Sequence, residues 1–256
     1  MIQPSPTTNP RPASGHLPPG RSHLGAVRFS AAKLLVMLVL FFVSGPFIEP
    51  IKDGDLIEAV LLTFVLLTGV VAVSRQRSTL AIAVALVTPA VVCKWVNHYR
   101  PDLAPPPFFL VAAELFVAFI IANLMRFILR APRVDSEVLC AGISTYLLLG
   151  LLWAFGYTLV GCLVPDCFAF SVPATASHTM KGFNSFYFSF ITLTTVGYGD
   201  ITPVSNVARM LAIMEAMTGT LFVGVLIARL VSLYSTAGPA SAATPAASEN
   251  DLKPVV

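Results

Sequence analysis

Six apolar stretches, each close to the length that crosses a bilayer as a helix, run along this chain at 31–49, 56–74, 79–96, 108–129, 138–163 and 207–234. A hydrocarbon core about 30 Å thick takes roughly 20 residues of helix at 1.5 Å per residue. Charge supports the same reading. Only 11% of the residues are charged and the mean hydropathy is +0.80, whereas a soluble domain carries about 25% charged residues. A chain with so little charge cannot wet its own surface, so the expectation is an all-α integral membrane protein with six transmembrane helices.

Basic residues give the orientation. With the amino terminus in the cytoplasm, Arg11, Arg21, Arg28, Lys33, Arg75, Arg77, Arg126, Arg130, Arg133, Arg229 and Lys253 fall inside, and Lys52, Lys94, Arg100, Lys181 and Arg209 fall outside. That is 11 against 5 of the 16 basic residues, which favours both termini cytoplasmic in the cell membrane. Residues 1–30 and 236–256 are rich in Pro, Ser, Thr, Gly and Ala without apolar periodicity and are expected to be disordered tails. Between them lie a four-helix region over 31–132 and a second unit over 136–235.

Inside the second unit, 183–196 reads FNSFYFSFITLTTV, about 14 residues and too short to span. Irregular backbone at membrane depth is tolerated only where protein buries it or where it lines a water-filled path. A short helix that enters from outside and returns as extended chain satisfies that rule, so a re-entrant loop is expected between the fifth and sixth helices.

The residues just after this short helix carry the chemistry. Thr194-Thr195-Val196-Gly197-Tyr198-Gly199-Asp200 places glycines at alternate positions. A potassium ion leaves water readily only where other oxygens replace its hydration shell, and rings of backbone carbonyls do so when consecutive peptides aim at one axis. An ordinary strand alternates its carbonyls. Glycine tolerates positive φ, so Gly197 and Gly199 permit the backbone alternation that brings them to one side. The ion ligands would be the carbonyls of Thr195, Val196, Gly197 and Tyr198, with the Thr195 hydroxyl closing the inner end. Tyr198 and Val196 would wedge outward, with Tyr187 and Phe188 as candidate aromatic partners. Asp200 would anchor the outer mouth and attract cations, and the carboxyl end of the short helix near Thr194 would turn its partial negative charge toward the ions.

Over about 138–234 the sequence closely resembles the potassium-channel family, whose filter signature Thr-Val-Gly-Tyr-Gly stands unchanged at Thr195 to Gly199. The resemblance implies a homotetramer, since one filter strand cannot surround an ion. It also implies potassium as the permeant ion and a lipid bilayer as the surrounding partner. Gly219 falls where the family commonly has a gating hinge, with Gly224 a second candidate. The chain departs from the voltage-gated pattern, because the fourth stretch has no basic residue between Phe108 and Met125. A voltage sensor needs such residues inside the membrane at every third position. Arg126, Arg130 and Arg133 sit at its end, where the positive-inside rule accounts for them.

Glu215 lies within the last stretch, where a carboxylate is costly unless paired or wetted. Two readings are open: a hydrogen bond to the back of the pore loop near Thr192 or Thr194, or a pairing with Arg209 or solvent. Glu114, the one acid in the fourth stretch, reads as a packing group. Cys162 and Cys167 leave a disulfide and two free thiols equally open, while Cys93 and Cys140 read as small packing residues. His16, His23, His98 and His178 are scattered, so no metal site is expected beyond the potassium sites. No cofactor, nucleic-acid partner or soluble substrate is expected. No nucleophile, base and orienting group cluster at motif-like spacing, so an enzyme is not expected. A weakly selective cation channel and a non-conducting modulatory subunit are the alternatives, and the intact motif argues against both.

Overall fold

The computed structural model describes residues 30–48, 54–73, 77–99, 106–171 and 179–236. Apart from Ser30 and Thr236, the two tails lie outside the described residues, as do Arg11, Arg21, Arg28, Lys52, Arg75, Arg100 and Lys253. The elements in order are α1 (Ser30–Ile48), α2 (Gly54–Val73), α3 (Arg77–Tyr99), α4 (Pro106–Arg130), α5 (Ser136–Leu163), β1 (Phe168–Phe170), α6 (Phe183–Leu193), β2 (Ile201–Pro203) and α7 (Asn206–Thr236).

Among the described residues, five helices are long and apolar enough to cross a membrane, namely α1, α3, α4, α5 and α7. The uninterrupted apolar run of α2, Leu56–Ala72, is shorter. The chain is a multi-pass membrane protein. At 11 residues α6 reaches about 16 Å, roughly half of what a crossing requires.

Packing follows from the spacing of the apolar residues. On α4, Phe109, Ala113, Phe116, Val117, Ile120, Leu124 and Ile128 recur at steps of three and four and are all buried, so they form one stripe. They share a core with Leu34, Leu38 and Phe41 of α1, Leu62, Val65 and Leu66 of α2, and Leu148, Leu151 and Phe155 of α5. Gly69 of α2 lies against Ile120, where a Cβ would come within 2.4 Å of Cδ1. The first four helices are thus fastened to α5 through a common core. A separate contact reaches α6: Phe41 and Phe42 of α1 meet Phe186 edge-on, with ring centroids 5.4 and 5.9 Å away, and Phe42 meets Phe190 at 4.8 Å.

The fold is all-α as expected, with one short ladder added between the helices. β1 and β2 pair antiparallel, with Phe168 opposite Pro203, Ala169 opposite Thr202 and Phe170 opposite Ile201. The Ser171 N–H also donates to the Asp200 carbonyl at 2.8 Å. Strands of three residues show no period-two pattern, and their pairing joins positions far apart in sequence, so nothing local announces it. The ladder draws the two ends of the α6 segment together.

Candidate functional site

The site is built on the carboxyl end of α6. Gly182 at φ 53° starts the helix and Thr194 caps it with φ −84° and ψ −1°. Four consecutive N–H groups then turn back onto the last carbonyls of the helix. Thr194 donates to Phe190 (3.1 Å), Thr195 to Thr192 (2.9 Å), and both Val196 and Gly197 to Ile191 (2.8 and 3.1 Å). The Thr194 hydroxyl donates to the Phe190 carbonyl at 2.6 Å. These bonds satisfy carbonyls that a helix end otherwise leaves open, and they fix where the next residues leave the helix.

Beyond that point the backbone alternates. Thr195, Gly197 and Gly199 have φ of 60°, 53° and 81°, while Val196 and Tyr198 between them do not take positive φ. For the two glycines this conformation carries no steric penalty. For Thr195 it is strained, at about 1–3 kcal/mol for a non-glycine residue held there. The strain is sustained by the Thr192 and Ile191 bonds on either side. A left-handed residue at every second position is the arrangement that lets successive carbonyls share one side of the chain.

Asp200 ends the segment and is held from three directions. The Tyr187 hydroxyl donates to its Oδ2 at 2.6 Å, the Ile201 N–H donates to its Oδ1 at 3.0 Å, and its own carbonyl accepts from Ser171 at 2.8 Å. Tyr187 therefore bonds the outer anchor of the loop. Phe188 turns the other way, edge-on to Tyr157 at 4.8 Å and to Phe168 at 5.4 Å between α5 and the ladder. Val196 and Tyr198 are 53% and 73% exposed; in a single chain nothing covers them.

Behind the segment sits Glu215, fully buried at 0% exposure. The Tyr157 hydroxyl of α5 donates to its Oε2 at 2.5 Å, and the Ser189 Oγ of α6 lies 2.6 Å from its Oε1. Ser189 Oγ is also 2.8 Å from the Gly150 carbonyl. Of the two readings of Glu215, the structure draws the first, through Ser189 rather than Thr192 or Thr194. Arg209 instead donates through Nε to the Pro203 carbonyl at 3.2 Å. Tyr157, Ser189 and Gly150 were not singled out from the sequence. The available signal was Ser185 and Ser189, two small polar residues four apart and so on one face of a largely apolar helix.

Gly219 and Gly224 differ in surroundings within the unbroken helix α7. A Cβ on Gly219 would lie 2.3 Å from the Leu193 carbonyl oxygen, whereas nothing lies within 4 Å of one on Gly224. Gly219 is thus the point where α7 passes closest to the end of α6. Glu114 lies beside Gly156 of α5, consistent with packing. Cys162 and Cys167 are both free thiols, the first exposed and the second buried, and burial pushes the Cys167 thiol above its ordinary pKa.

Comparison with known proteins matches the same region. Residues 145–236 match a family model described as "Ion channel", a family of channels and not of enzymes. The chain is 45% identical over 49 residues to two-pore potassium channel 4 of Arabidopsis thaliana, covering 19% of this chain and 17% of that one. It is 33% identical over 57 residues to a hyperpolarization-activated voltage-gated potassium channel of Methanocaldococcus jannaschii, covering 22% and 27%. It is also 46% identical over 48 residues to protein LctB of Bacillus caldotenax, covering 19% and 35%. The chain spans only about a fifth of the length of the two-pore channels it matches, 17%, 20% and 22% for three of them. No solved structure matches it. Over residues 145–236 the chain is thus similar to ion channels, several of them named potassium channels.

Proposed function

We propose that the chain is one subunit of a homotetrameric channel that conducts potassium passively across the cell membrane, selecting it at Thr195 to Gly199. The observation that carries this reading is the alternation of left-handed φ at Thr195, Gly197 and Gly199 directly after a short capped helix. Stacked rings of carbonyls from Thr195, Val196, Gly197 and Tyr198 replace the hydration shell of the ion. The preceding α6 is re-entrant, and 136–235 forms the pore domain beside the four-helix region of 31–132. With α2 counted as a crossing, six spans leave both termini cytoplasmic.

Geometry supports several copies around one axis, and the number four is what the resemblance to potassium channels implies. One strand offers an ion oxygens from one side only, and the exposed Val196 and Tyr198 need a neighbour to cover them. The face of α7 carrying Met210, Ile213, Met214, Met217 and Leu221 is likewise exposed in the single chain, as expected for a helix that meets other copies around an axis. The relatives named as potassium channels support the choice of ion. The weakly selective and non-conducting alternatives find no altered residue in the Thr195–Gly199 motif to rest on.

The test is ion flux from the purified protein in liposomes, with external potassium exchanged for sodium and with Gly199→Ala as control. Potassium flux that sodium does not replace, abolished by the substitution and by barium, is the expected result. Equal sodium flux would move the assignment to a non-selective channel.

A further inference from the structure

The Glu215 contacts raise a question of hydrogen count. Ser189 Oγ carries one hydrogen, yet it lies 2.8 Å from the Gly150 carbonyl and 2.6 Å from Glu215 Oε1. The carbonyl only accepts. If Ser189 gives its hydrogen to Gly150, the hydrogen in the shorter contact has to come from Glu215. If Ser189 gives it to an ionised Glu215, the Gly150 contact has no hydrogen and two acceptor oxygens face each other at 2.8 Å. On the other carboxyl oxygen the hydrogen is supplied by Tyr157. The titratable groups nearest the carboxyl are Tyr157 and Tyr146, both on α5. Among the described residues no cation pairs with Glu215, the one salt bridge being Lys94 with Glu58. An unpaired buried carboxylate carries a large desolvation penalty, and a buried acid does not.

The geometry points to Glu215 as a neutral carboxylic acid, the middle of a one-way chain that runs from the Tyr157 hydroxyl through Glu215 and Ser189 to the Gly150 carbonyl. This chain ties α7 to α6 and both to α5, with each donor and acceptor used once. It enters α6 at Ser189, five residues before Thr194, and Glu215 stands one turn before Gly219, where α7 comes up against Leu193. Glu215 is therefore a positioning residue: it fixes the end of α6 from which Thr195 to Gly199 hang. This inference rests on the reading of those residues as the filter.

Glu215→Gln is the discriminating variant. Its amide oxygen accepts from Tyr157 and its NH₂ donates to Ser189, which reproduces the pattern of the neutral acid and not that of the carboxylate. Infrared difference spectra of the reconstituted full-length protein, wild type minus Glu215→Gln, report the protonation state directly. The expected difference is a carboxylic-acid C=O band at neutral pH, without a carboxylate pair. Thermal dissociation of the tetramer and the potassium-over-sodium flux ratio report the positioning. Glu215→Gln is expected to keep both, while Ser189→Ala and Glu215→Ala lower the flux ratio by about tenfold for each hydrogen bond removed. A carboxylate pair in the difference spectrum, or Glu215→Gln failing as badly as Glu215→Ala, overturns the inference. Wild-type protein that shows the acid band but passes no potassium would count against the filter reading and leave the hydrogen-bond chain standing.

Discussion

Replacing Gly219 by alanine sets two effects against each other, and the structure says which wins. Alanine in a helix interior is favoured over glycine by about 1 kcal/mol. Against it, the new Cβ would stand 2.3 Å from the Leu193 oxygen, 2.9 Å from its Cδ1 and 3.2 Å from its carbonyl carbon. A carbon normally rests roughly 3.3 Å or more from a carbonyl oxygen, so α7 and the end of α6 have to separate by about 1 Å. The opposing atom is backbone and cannot swing aside, which puts the cost near the upper end of overpacking, about 3 kcal/mol. The net is about 2 kcal/mol lost per chain, or about 8 kcal/mol over the four copies of the proposed tetramer. Because Leu193 directly precedes Thr194 and the proposed filter at Thr195–Gly199, the displacement reaches the proposed ion sites as well. Gly224→Ala has the same propensity gain with nothing within 4 Å, so it should leave stability equal or raise it. Thermal dissociation of the proposed tetramer in detergent, in potassium and in sodium, is the assay. Gly219→Ala should dissociate at lower temperature and lose most of the added stability that potassium confers. If Gly219→Ala is as stable as Gly224→Ala and only its opening changes, Gly219 is a hinge and the packing argument is wrong.

Two further outcomes concern the thiols near the filter and the far end of α7. A membrane-impermeant maleimide applied from the filter side should label exposed Cys162 and spare Cys167, whose burial raises its pKa and keeps it protonated; labelling that appears only after reduction would show a disulfide instead. Arg229 donates from Nη2 to the Leu129 and Ala131 carbonyls at 2.9 Å each, and hydrogen bonds from charged groups contribute about 1.5–3 kcal/mol. The melting temperature should therefore fall in the order wild type, Arg229→Lys, Arg229→Ala, and equal values would mean that the contact contributes nothing.

How much of this was legible in the sequence depends on the range over which each feature is encoded. Helices are local. Runs such as 108–129 and 207–234 carry their length and apolar character in themselves, and α4 and α7 form there. The Thr195–Gly199 motif is local too, and glycines at alternate positions announced positive φ at Gly197 and Gly199. Thr195 gave no such sign, since a β-branched residue at φ 60° is imposed by hydrogen bonds to Ile191 and Thr192 and not by its own preference. The β1–β2 ladder, the turn of Phe188 toward Tyr157, and the Tyr157–Glu215–Ser189 contacts are non-local. For Glu215 the cost of burying a carboxylate was enough to predict a partner, but the partner's identity depends on how α5, α6 and α7 pack.

The same distinction bears on what the first four helices do. The sequence argues against one role for α4, because a helix without basic residues between Phe108 and Met125 lacks the repeated positive charges that a voltage sensor moves in a transmembrane field. The structure supplies two attachments in its place. At one end of the pore unit, Phe41 and Phe42 of α1 abut Phe186 and Phe190 of α6, and Gly150 of α5 makes room for the Phe190 ring, since a Cβ there would fall 2.5 Å from its edge. Phe190 in turn receives the Thr194 cap through its carbonyl. At the other end, Arg229 of α7 holds the carbonyls that close α4. The α1–α4 core is therefore in contact both with the helix that carries the proposed filter and with the far end of α7. Coupling of this kind needs no charge in α4. It needs continuous packing between the helices, and the stripe from Phe109 to Ile128, shared with α1, α2 and α5, is such a connection.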